Sequence, residues 1–205
     1  MKAVRLRWGI LGTGGIARRL AQALASSQTG ELCAVGSRTL ERAAAFGKEF
    51  GAARCYGSYA ELVADQGVDA VYISLPNNLH AEWAIRCAWA GKQILCEKPL
   101  TGTYPEAMAV IDEVRQAGVF LLEAFMYRCH PQTAKVVELV KSGAIGPVRV
   151  IQSSFSFDFG DQPQNIRSQA ALSGGGIMDV GCYTLSLARL VAGAALGLEG
   201  PAEPI

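Results

Sequence analysis

Short apolar runs alternate with helical patterns through the first part of the chain, as far as Glu123. Between the runs, apolar residues recur at the three- and four-residue spacing of an amphipathic helix, for example at Ile16, Leu20 and Leu24. The runs have the length of buried strands. Because they alternate with helices, they predict an α/β fold with a doubly wound, mostly parallel sheet. The predicted strands are Trp8–Leu11, Leu32–Ser37, Arg54–Tyr56, Ala70–Leu75, Gln93–Cys96 and Val119–Leu122.

The pattern changes after Glu123, and the second part of the chain predicts too few strands for a sheet of its own. Its predicted elements are a helix at Thr133–Lys141, a strand at Val148–Phe157 with aromatic positions alternating as far as Phe159, and a helix at 180–191. One strand does not make a sheet domain. We therefore expect a complete domain at 1–123 and an incomplete α+β domain at 124–205.

The composition limits which classes of binding partner and which cellular compartment are expected for this protein. Half of the 205 residues are hydrophobic and 18% are charged, which is typical of a globular protein. A net charge of +1 provides no field to attract nucleic acid or an anionic membrane. No uninterrupted apolar run is long enough to span a bilayer. The six cysteines form no C-x-x-C pair, so we expect no metal site and buried thiols in a reducing cytoplasm.

A glycine-rich turn follows the first predicted strand and opens the first predicted helix. Its sequence, Gly12-Thr13-Gly14-Gly15-Ile16-Ala17, fits the pattern G-x-G-x-x-[GA]. In such turns the first glycine permits the tight turn, the second lets the backbone approach a pyrophosphate, and the small last residue lets the helix pack on the strand. Glycines also occur for turn geometry alone, but the strand, the helix and the βαβ continuation favour a Rossmann-type dinucleotide site.

The end of the second strand bears on which dinucleotide binds. An NAD site usually has an acidic residue there to hold the ribose 2′-hydroxyl. This chain has Ser37 and Arg38 instead, with Arg42 one helical turn later. A hydroxyl and guanidinium groups suit a 2′-phosphate, which a carboxylate would repel. We therefore predict NADP rather than NAD, although Ser37 also suits a helix cap and the arginines a solvated surface.

Two further segments follow predicted strands at the sheet edge where ligands bind in such folds. Leu75-Pro76-Asn77-Asn78-Leu79-His80 follows the fourth strand, and Glu97-Lys98-Pro99-Leu100 follows the fifth. A lysine before proline is held extended, which aims its side chain. From residue type alone, the simpler interpretations are a surface lysine and a helix-start histidine. The residues that we expect at the cofactor are Leu75, Pro76, Asn77, His80, Glu97 and Lys98.

Near the end of the chain, a triple glycine at 174–176 precedes the last predicted helix. Asp179 and Tyr183 lie four residues apart there, so a helix would place both side chains on one face. A functional pair and a plain structural arrangement both fit the spacing. In the structural interpretation Asp179 caps the helix and the glycines form a flexible loop.

Taken in order, four motifs resemble one family. GTGGIA, PNNLH, EKP and GGGIMDVGCY are together similar to the Gfo/Idh/MocA family of NAD(P)-dependent oxidoreductases, which includes glucose–fructose oxidoreductase and inositol dehydrogenase. The resemblance spans nearly the whole chain. EAFMYRCHP at 123–131 and the Ser-Arg ending of the second strand resemble most the branch of dimeric dihydrodiol dehydrogenases and NADP-dependent xylose dehydrogenases.

The resemblance implies roles for the residues that match these motifs. Lys98 is expected to be catalytic and Asp179 to orient the hydroxyls of a substrate. Tyr183 stands where many members have histidine, which favours a Lys–Tyr pair. In that pair Tyr183 exchanges the proton while Lys98 holds the same oxygen and lowers the tyrosine pKa, or the roles are reversed. Tyr127 and Arg128 are expected to border the substrate pocket.

The family also implies a function for the whole. We expect an NADP-dependent oxidoreductase that transfers a hydride between the nicotinamide and a sugar or cyclic polyol, with 1–123 binding the cofactor and 124–205 beginning a substrate domain of open mixed sheet. Members continue beyond this length, so we expect a truncated chain and, for the whole protein, a homodimer. The alternatives are an inactive NADP-binding fragment or sensing module, and an NAD enzyme for an inositol-like polyol.

Overall fold

A computed structural model describes residues 5–158 and 160–202 of the chain. Contacts divide it into two units, Met1–Ala124 and Phe125–Ile205. The strands of the first unit are β1 (Leu6–Leu11), β2 (Gly30–Gly36), β3 (Arg54–Tyr56), β4 (Ala70–Ile73), β5 (Gln93–Cys96) and β6 (Leu121–Glu123). Its helices are α1 (Gly15–Ala25), α2 (Leu40–Phe50), α3 (Tyr59–Ala64), α4 (His80–Trp89) and α5 (Tyr104–Ala117).

The six strands form one parallel sheet in the order β3-β2-β1-β4-β5-β6. This order confirms the predicted doubly wound Rossmann-type fold. Since β1 pairs with both β2 and β4, the chain leaves β1 toward one side of the sheet and later returns to the other. The carboxyl ends of β1 and β4 therefore flank the point where ligands bind in such sheets.

The central strands are buried on both faces, and alternate residues serve opposite cores. Ile10 and Tyr72 pack with residues of α1 and α2 on one face, among them Ala17 and Phe46. Their neighbours Leu11, Val71 and Ile73 pack on the other face, with Leu62, Ala84 and Val110 from α3, α4 and α5. This alternation follows from the two-residue period of a strand. It explains why β1 and β4 appear in the sequence as continuous apolar runs.

Side chains adjacent to the helices fix where most of them begin. Thr39 accepts a hydrogen bond from the Arg42 amide at α2, and Ser58 does the same for Glu61 at α3. At α5, Thr103 and Glu106 form a reciprocal capping box. Each cap satisfies an amide that the helix leaves without a partner. Thr39, and not Ser37, therefore caps α2.

The second unit is helical in its described part. It contains α6 (Pro131–Lys141) and α7 (Cys182–Ala195), with a π-helical turn at Ile177–Gly181 leading into α7. The predicted strand at Val148–Phe157 is wrong, because residues 148–158 have no regular secondary structure. A strand needs a neighbouring strand for its backbone hydrogen bonds, and none lies beside it among residues 125–158 and 160–202. Phe159 lies outside the described residues.

One described stretch, Ala170–Ala195, is long and apolar enough to cross a membrane by length and composition alone, with a mean hydropathy of 1.2. This differs from the sequence expectation, which considered uninterrupted apolar runs. The stretch includes Asp179 and Arg189, and charged side chains are costly at the centre of a bilayer. Because core helices of water-soluble proteins pass the same test, the indication is weak.

An ion pair ties β1 to the start of β4. The Arg7 side chain donates to both carboxylate oxygens of Asp69, through Nε at 2.9 Å and Nη2 at 2.6 Å, and the Arg7 amide donates to the same carboxylate. These hydrogen bonds, led by those of the side chain, lower the pKa of Asp69 to about 2. Asp69 is therefore more acidic in the folded chain than an ordinary aspartate, whose pKa is about 3.9.

We expect this pair to contribute stability that is present above about pH 4 and lost as the pH falls toward 2, because the unfolded chain takes up the proton first. Asp69→Asn should lower the Tm by a few degrees at neutral pH, and the difference from the parent protein should vanish in acid. Thermal unfolding between neutral pH and pH 2 measures this. Asp112→Asn, from an exposed pair on α5, is the control. An acid profile of Asp69→Asn parallel to that of the parent would contradict the assignment.

Candidate active site

The turn between β1 and α1 combines one glycine required by the fold with two that are not. Gly12 has a φ of +101°, and a Cβ there would meet Ser74 and Leu75 within 3.3 Å. A Cβ on Gly14 or Gly15 would meet nothing within 4 Å. Ala17 is fully buried against the sheet, as a close helix–strand contact requires. The space beside Gly14 and Gly15 is therefore open to a ligand.

The amino terminus of α1 faces this open space without a side-chain cap. Gly14 is its N-cap residue and provides no side-chain hydrogen bond. The first amides of a helix lie beyond the reach of its own carbonyls, and the helix dipole adds partial positive charge there. An uncapped terminus next to an accessible backbone is suited to bind a phosphate.

The end of β2 presents two positive charges. Ser37 is buried, with 3% of its surface exposed, and its amide donates to Tyr56 O. Arg38 and Arg42 are exposed. Burial raises the pKa of Tyr59, and the charges of Arg38 and Arg42 oppose that rise. Both guanidinium groups therefore lie close enough to act on the same side chain.

The end of β4 is occupied by a buried histidine rather than by an exposed one. His80 begins α4 and has no exposed surface. Its Nε2 lies 2.8 Å from Leu75 O and its Nδ1 lies 2.8 Å from Pro99 O. Burial lowers the pKa of His80, and the two carbonyl contacts oppose that shift. A neutral ring donates to one of these oxygens, whereas an imidazolium donates to both.

The segment Glu97-Lys98-Pro99-Leu100 is fixed from several sides. The Tyr72 hydroxyl donates to Glu97 Oε1 at 2.5 Å, and the Leu100 amide donates to Glu123 Oε1 at 2.8 Å. Lys98, half-buried and joined to Pro99 by a cis peptide bond, lies between these two attachments. The sequence analysis missed Tyr72 and Glu123. The only feature of the sequence that could have indicated them is that a polar or acidic residue stands near the end of an apolar strand.

In the second unit, Asp179 is paired with an arginine that the sequence analysis also missed. Arg167 Nε lies 3.0 Å from Asp179 Oδ2, and the carboxylate-bearing side chain is only 16% exposed. Gly174 permits this arrangement, because a Cβ there would lie 2.5 Å from Ile166 O. The Gly175 amide donates to Arg167 O at 2.8 Å. Within the triple glycine, the backbone of Gly174 and Gly175 therefore packs closely against the backbone at Ile166 and Arg167. Asp179 lies inside a π-helical turn and does not cap α7.

Tyr183 follows that turn and lies in an aromatic group. Its ring centroid is 5.5 Å from those of Phe125 and Phe155 and 6.1 Å from that of Tyr127. The hydroxyl lies 3.2 Å from Met126 Sδ. The group holds the ring by edge contacts. Tyr183 is half-buried within its unit.

Tyr127 and Arg128, predicted to border a pocket, are both attached to α7. The hydroxyl groups of Tyr127 and Ser186 are 2.8 Å apart, and Arg128 Nη2 donates to Ser186 Oγ at 3.0 Å. Ser186 is buried, with 9% of its surface exposed. The contacts fix the turn at Met126–Cys129 against α7. They assign both residues a structural role, and their predicted role at a substrate stays a prediction.

Two family descriptions match the chain. Residues 6–125 match the Gfo/Idh/MocA oxidoreductase family with its NAD-binding Rossmann fold, and residues 133–197 match the C-terminal domain of the same family. A D-xylose 1-dehydrogenase (NADP(+)) from Haloferax volcanii is 47% identical over 188 residues, which are 92% of this chain and 58% of the relative. A trans-1,2-dihydrobenzene-1,2-diol dehydrogenase from Mus musculus is 36% identical over 191 residues, 92% of this chain and 57% of the relative.

A solved structure agrees with these matches. A 3-ketoreductase from Actinomadura kijaniata, in complex with NADP and TDP-benzene, has a TM-score of 0.86 and 38% identity, covering 92% of this chain and 58% of that one. The chain thus spans a little over half the length of these relatives. The family matches together cover most of the chain, and they confirm the predicted resemblance. This chain belongs to the Gfo/Idh/MocA family of oxidoreductases.

Proposed function

We propose that this chain binds NADP and is part of an oxidoreductase that transfers a hydride between the nicotinamide and a carbon of a sugar or cyclic polyol. The observation that carries the proposal is the β1–α1 turn, where the uncapped helix faces open space beside Gly14. Nothing in the packing of the chain demands glycine there. A ligand that approaches the backbone closely, such as a pyrophosphate, does.

The preference for NADP rests on the end of β2. Arg38 and Arg42 are exposed and four residues apart in the sequence, and no carboxylate follows Gly36 directly. Two guanidinium groups attract the additional charge of a 2′-phosphate, whereas NAD offers them a neutral hydroxyl. The named relatives include an NADP(+) dehydrogenase and a ketoreductase in complex with NADP. The predicted contacts of Thr13, Ile16, Leu75, Pro76 and Asn77 belong to the same proposal.

The chemistry divides between the cofactor and the chain. Bound NADP supplies an acceptor for the hydride that leaves the carbon of an alcohol, and the hydroxyl proton goes to a base of the protein. We assign proton transfer to Tyr183 or Lys98, and the orientation of substrate hydroxyls to Asp179. The pair with Arg167 supports the latter, because it holds the carboxylate in a fixed position.

The substrate class follows from the relatives and is the coarser part of the proposal. They include a D-xylose dehydrogenase, dihydrodiol dehydrogenases and an aldose–aldose oxidoreductase from Caulobacter crescentus with 33% identity and a TM-score of 0.84. All act on sugars or cyclic diols according to their names. We propose that residues 1–123 bind the cofactor and that residues 124–205 contribute to substrate binding.

For the whole protein we propose a homodimer. We also propose that it resides in a reducing cytoplasm, in which the six cysteines stay free.

An NADP-binding module without catalysis is the second candidate. The chain spans 58% of the length of the D-xylose 1-dehydrogenase that it matches, so the activity of that relative does not by itself establish catalysis by this chain. Binding without turnover of any sugar or diol tested would favour the module. Turnover with D-xylose or a dihydrodiol would favour the enzyme.

We expect Gly14→Ala to weaken NADPH binding about tenfold or more and to lower the Tm only slightly, because the added methyl group meets no protein atom, alanine is a poorer N-cap residue than glycine, and the methyl group stands where the backbone must approach a pyrophosphate. Fluorescence titration with NADPH and a thermal melt measure the two effects. Gly200→Ala is the matched control, since its Cβ also meets nothing within 4 Å. Unchanged NADPH affinity of Gly14→Ala would count against a dinucleotide site at this turn.

Replacing both arginines, in Arg38→Ala/Arg42→Ala, should weaken NADPH binding by roughly tenfold to a hundredfold, as expected for lost charge-assisted hydrogen bonds. NADH binding should stay within a factor of about two, because NADH lacks the 2′-phosphate. The measurement is the ratio of the two dissociation constants. Arg115→Ala, an exposed arginine of α5, controls for charge alone. Equal losses for both nucleotides would show that the arginines do not read the phosphate.

Lys98→Met and Tyr183→Phe should each lower kcat by roughly a hundredfold to ten-thousandfold with NADP and D-xylose, because each removes a group that handles the substrate proton. Tyr104→Phe, exposed on α5, is the control and should keep full activity. The pH dependence of kcat distinguishes the two assignments. If Tyr183→Phe kept full kcat while Lys98→Met lost it, the proton would belong to Lys98.

A further inference from the structure

His80 connects two loops that follow neighbouring strands. One loop leaves β4 at Leu75, and the other leaves β5 and contains Lys98 and Pro99. The ring lies between them, with a nitrogen 2.8 Å from a carbonyl oxygen of each loop. A fully buried side chain with partners on both sides has little freedom to move. The imidazole therefore bridges the two loops just beyond the point where the pairing of β4 with β5 ends.

The second partner of His80 adjoins the residue proposed to be catalytic. Pro99 directly follows Lys98, so its carbonyl belongs to the backbone that carries the lysine side chain. The neighbouring attachments act elsewhere, with Tyr72 on Glu97 and Glu123 on Leu100. The Tyr72 contact also joins this segment to β4, but it holds the residue before Lys98, whereas His80 contacts the carbonyl of the residue after it and, on its other side, the loop at Leu75. His80 was expected at the cofactor from its position in the sequence. The structure instead buries its side chain completely, which leaves no surface for direct contact with a cofactor.

We propose that His80 is a positioning residue, whose buried ring lies between Leu75 O and Pro99 O, donates to one of them and packs against the other, and thereby fixes Lys98 relative to the loop that follows β4. The inference rests on the proposed function only for what Lys98 does, and not for the attachment of the loop. It assigns His80 no contact with substrate or cofactor. Loss of the ring should loosen the lysine segment while the glycine turn and the end of β2, with which His80 shares no hydrogen bond among the described residues, stay intact.

Two variants separate the hydrogen bonds from the volume of the ring. His80→Phe keeps a flat ring and removes both nitrogen atoms, whereas His80→Gln keeps an amide that can donate to one of the two carbonyls. The control is His130→Gln, from the exposed histidine that caps α6. If His80→Phe did not fold, His80→Gln would still test the proposal. All variants are made in the full chain.

The first measurement is amide hydrogen exchange followed by mass spectrometry, without any ligand. We expect exchange in the segment 97–101 to accelerate about tenfold in His80→Phe, the factor that corresponds to one hydrogen bond of ordinary strength, and less in His80→Gln. Exchange in β1 and β2 and in the control should not change. Unchanged exchange at 97–101, or equal acceleration throughout the sheet, would overturn the proposal.

The second measurement compares two ligands, NADPH and adenosine 2′,5′-bisphosphate, which lacks the nicotinamide. We expect His80→Gln to weaken NADPH several-fold and to leave the bisphosphate unchanged, because only NADPH extends toward Lys98. Equal loss for both ligands, or unchanged affinity for NADPH, would overturn the positioning role. If the parent chain bound neither ligand, the proposed function would fail, while the exchange data would still decide whether His80 holds the lysine segment.

Discussion

The parallel pairing of β1 with β2 and β4 is the constraint on which the first unit depends. It turns three strands the same way, so that the chain leaves all of them at one edge, and it buries β1 and β4 on both faces. Residues far apart in the sequence, such as Gly12, Arg38 and Lys98, follow strands that end at this edge. The site is therefore a consequence of strand direction, and the side chains add chemistry to a place that the backbone has already made.

Those features that a local pattern encodes were predicted well from the sequence. Buried parallel strands are apolar throughout, and glycine turns have a spacing that their backbone requires. The sheet and the turn at Gly12 could therefore be predicted from the sequence alone. The bounds differ by a few residues, as at β4, which was predicted to reach Leu75 and ends at Ile73. The strand at Val148–Phe157 failed for the opposite reason. Its pattern is typical of a strand, but pairing is a property of two segments, and no other segment in the described part of the second unit forms a strand.

The missed residues share a physical cause. Tyr72, Glu123, Arg167 and Ser186 act through hydrogen bonds or ion pairs to partners between 12 and 60 positions away, and nothing near them in the sequence marks the partner. His80 is the clearest example. Its motif predicted a residue at the cofactor or a histidine at a helix start, whereas the fold encloses the side chain between two carbonyls. Long-range polar contacts of this kind require the fold before they can be recognised.

The difference between Gly12 and Gly14 separates two kinds of selection within one short turn. Gly12 is demanded by its own backbone angle and by the atoms of Ser74, so a descendant that abandoned nucleotides would still need it to fold. At Gly14, by contrast, no packing contact inside the chain requires glycine, because a Cβ there would meet no atom within 4 Å. In a lineage that lost its cofactor, position 14 would be free to drift while position 12 stayed glycine. Among proteins of this fold, glycine at both positions is therefore expected where a dinucleotide binds, and glycine at position 12 alone is expected where none does.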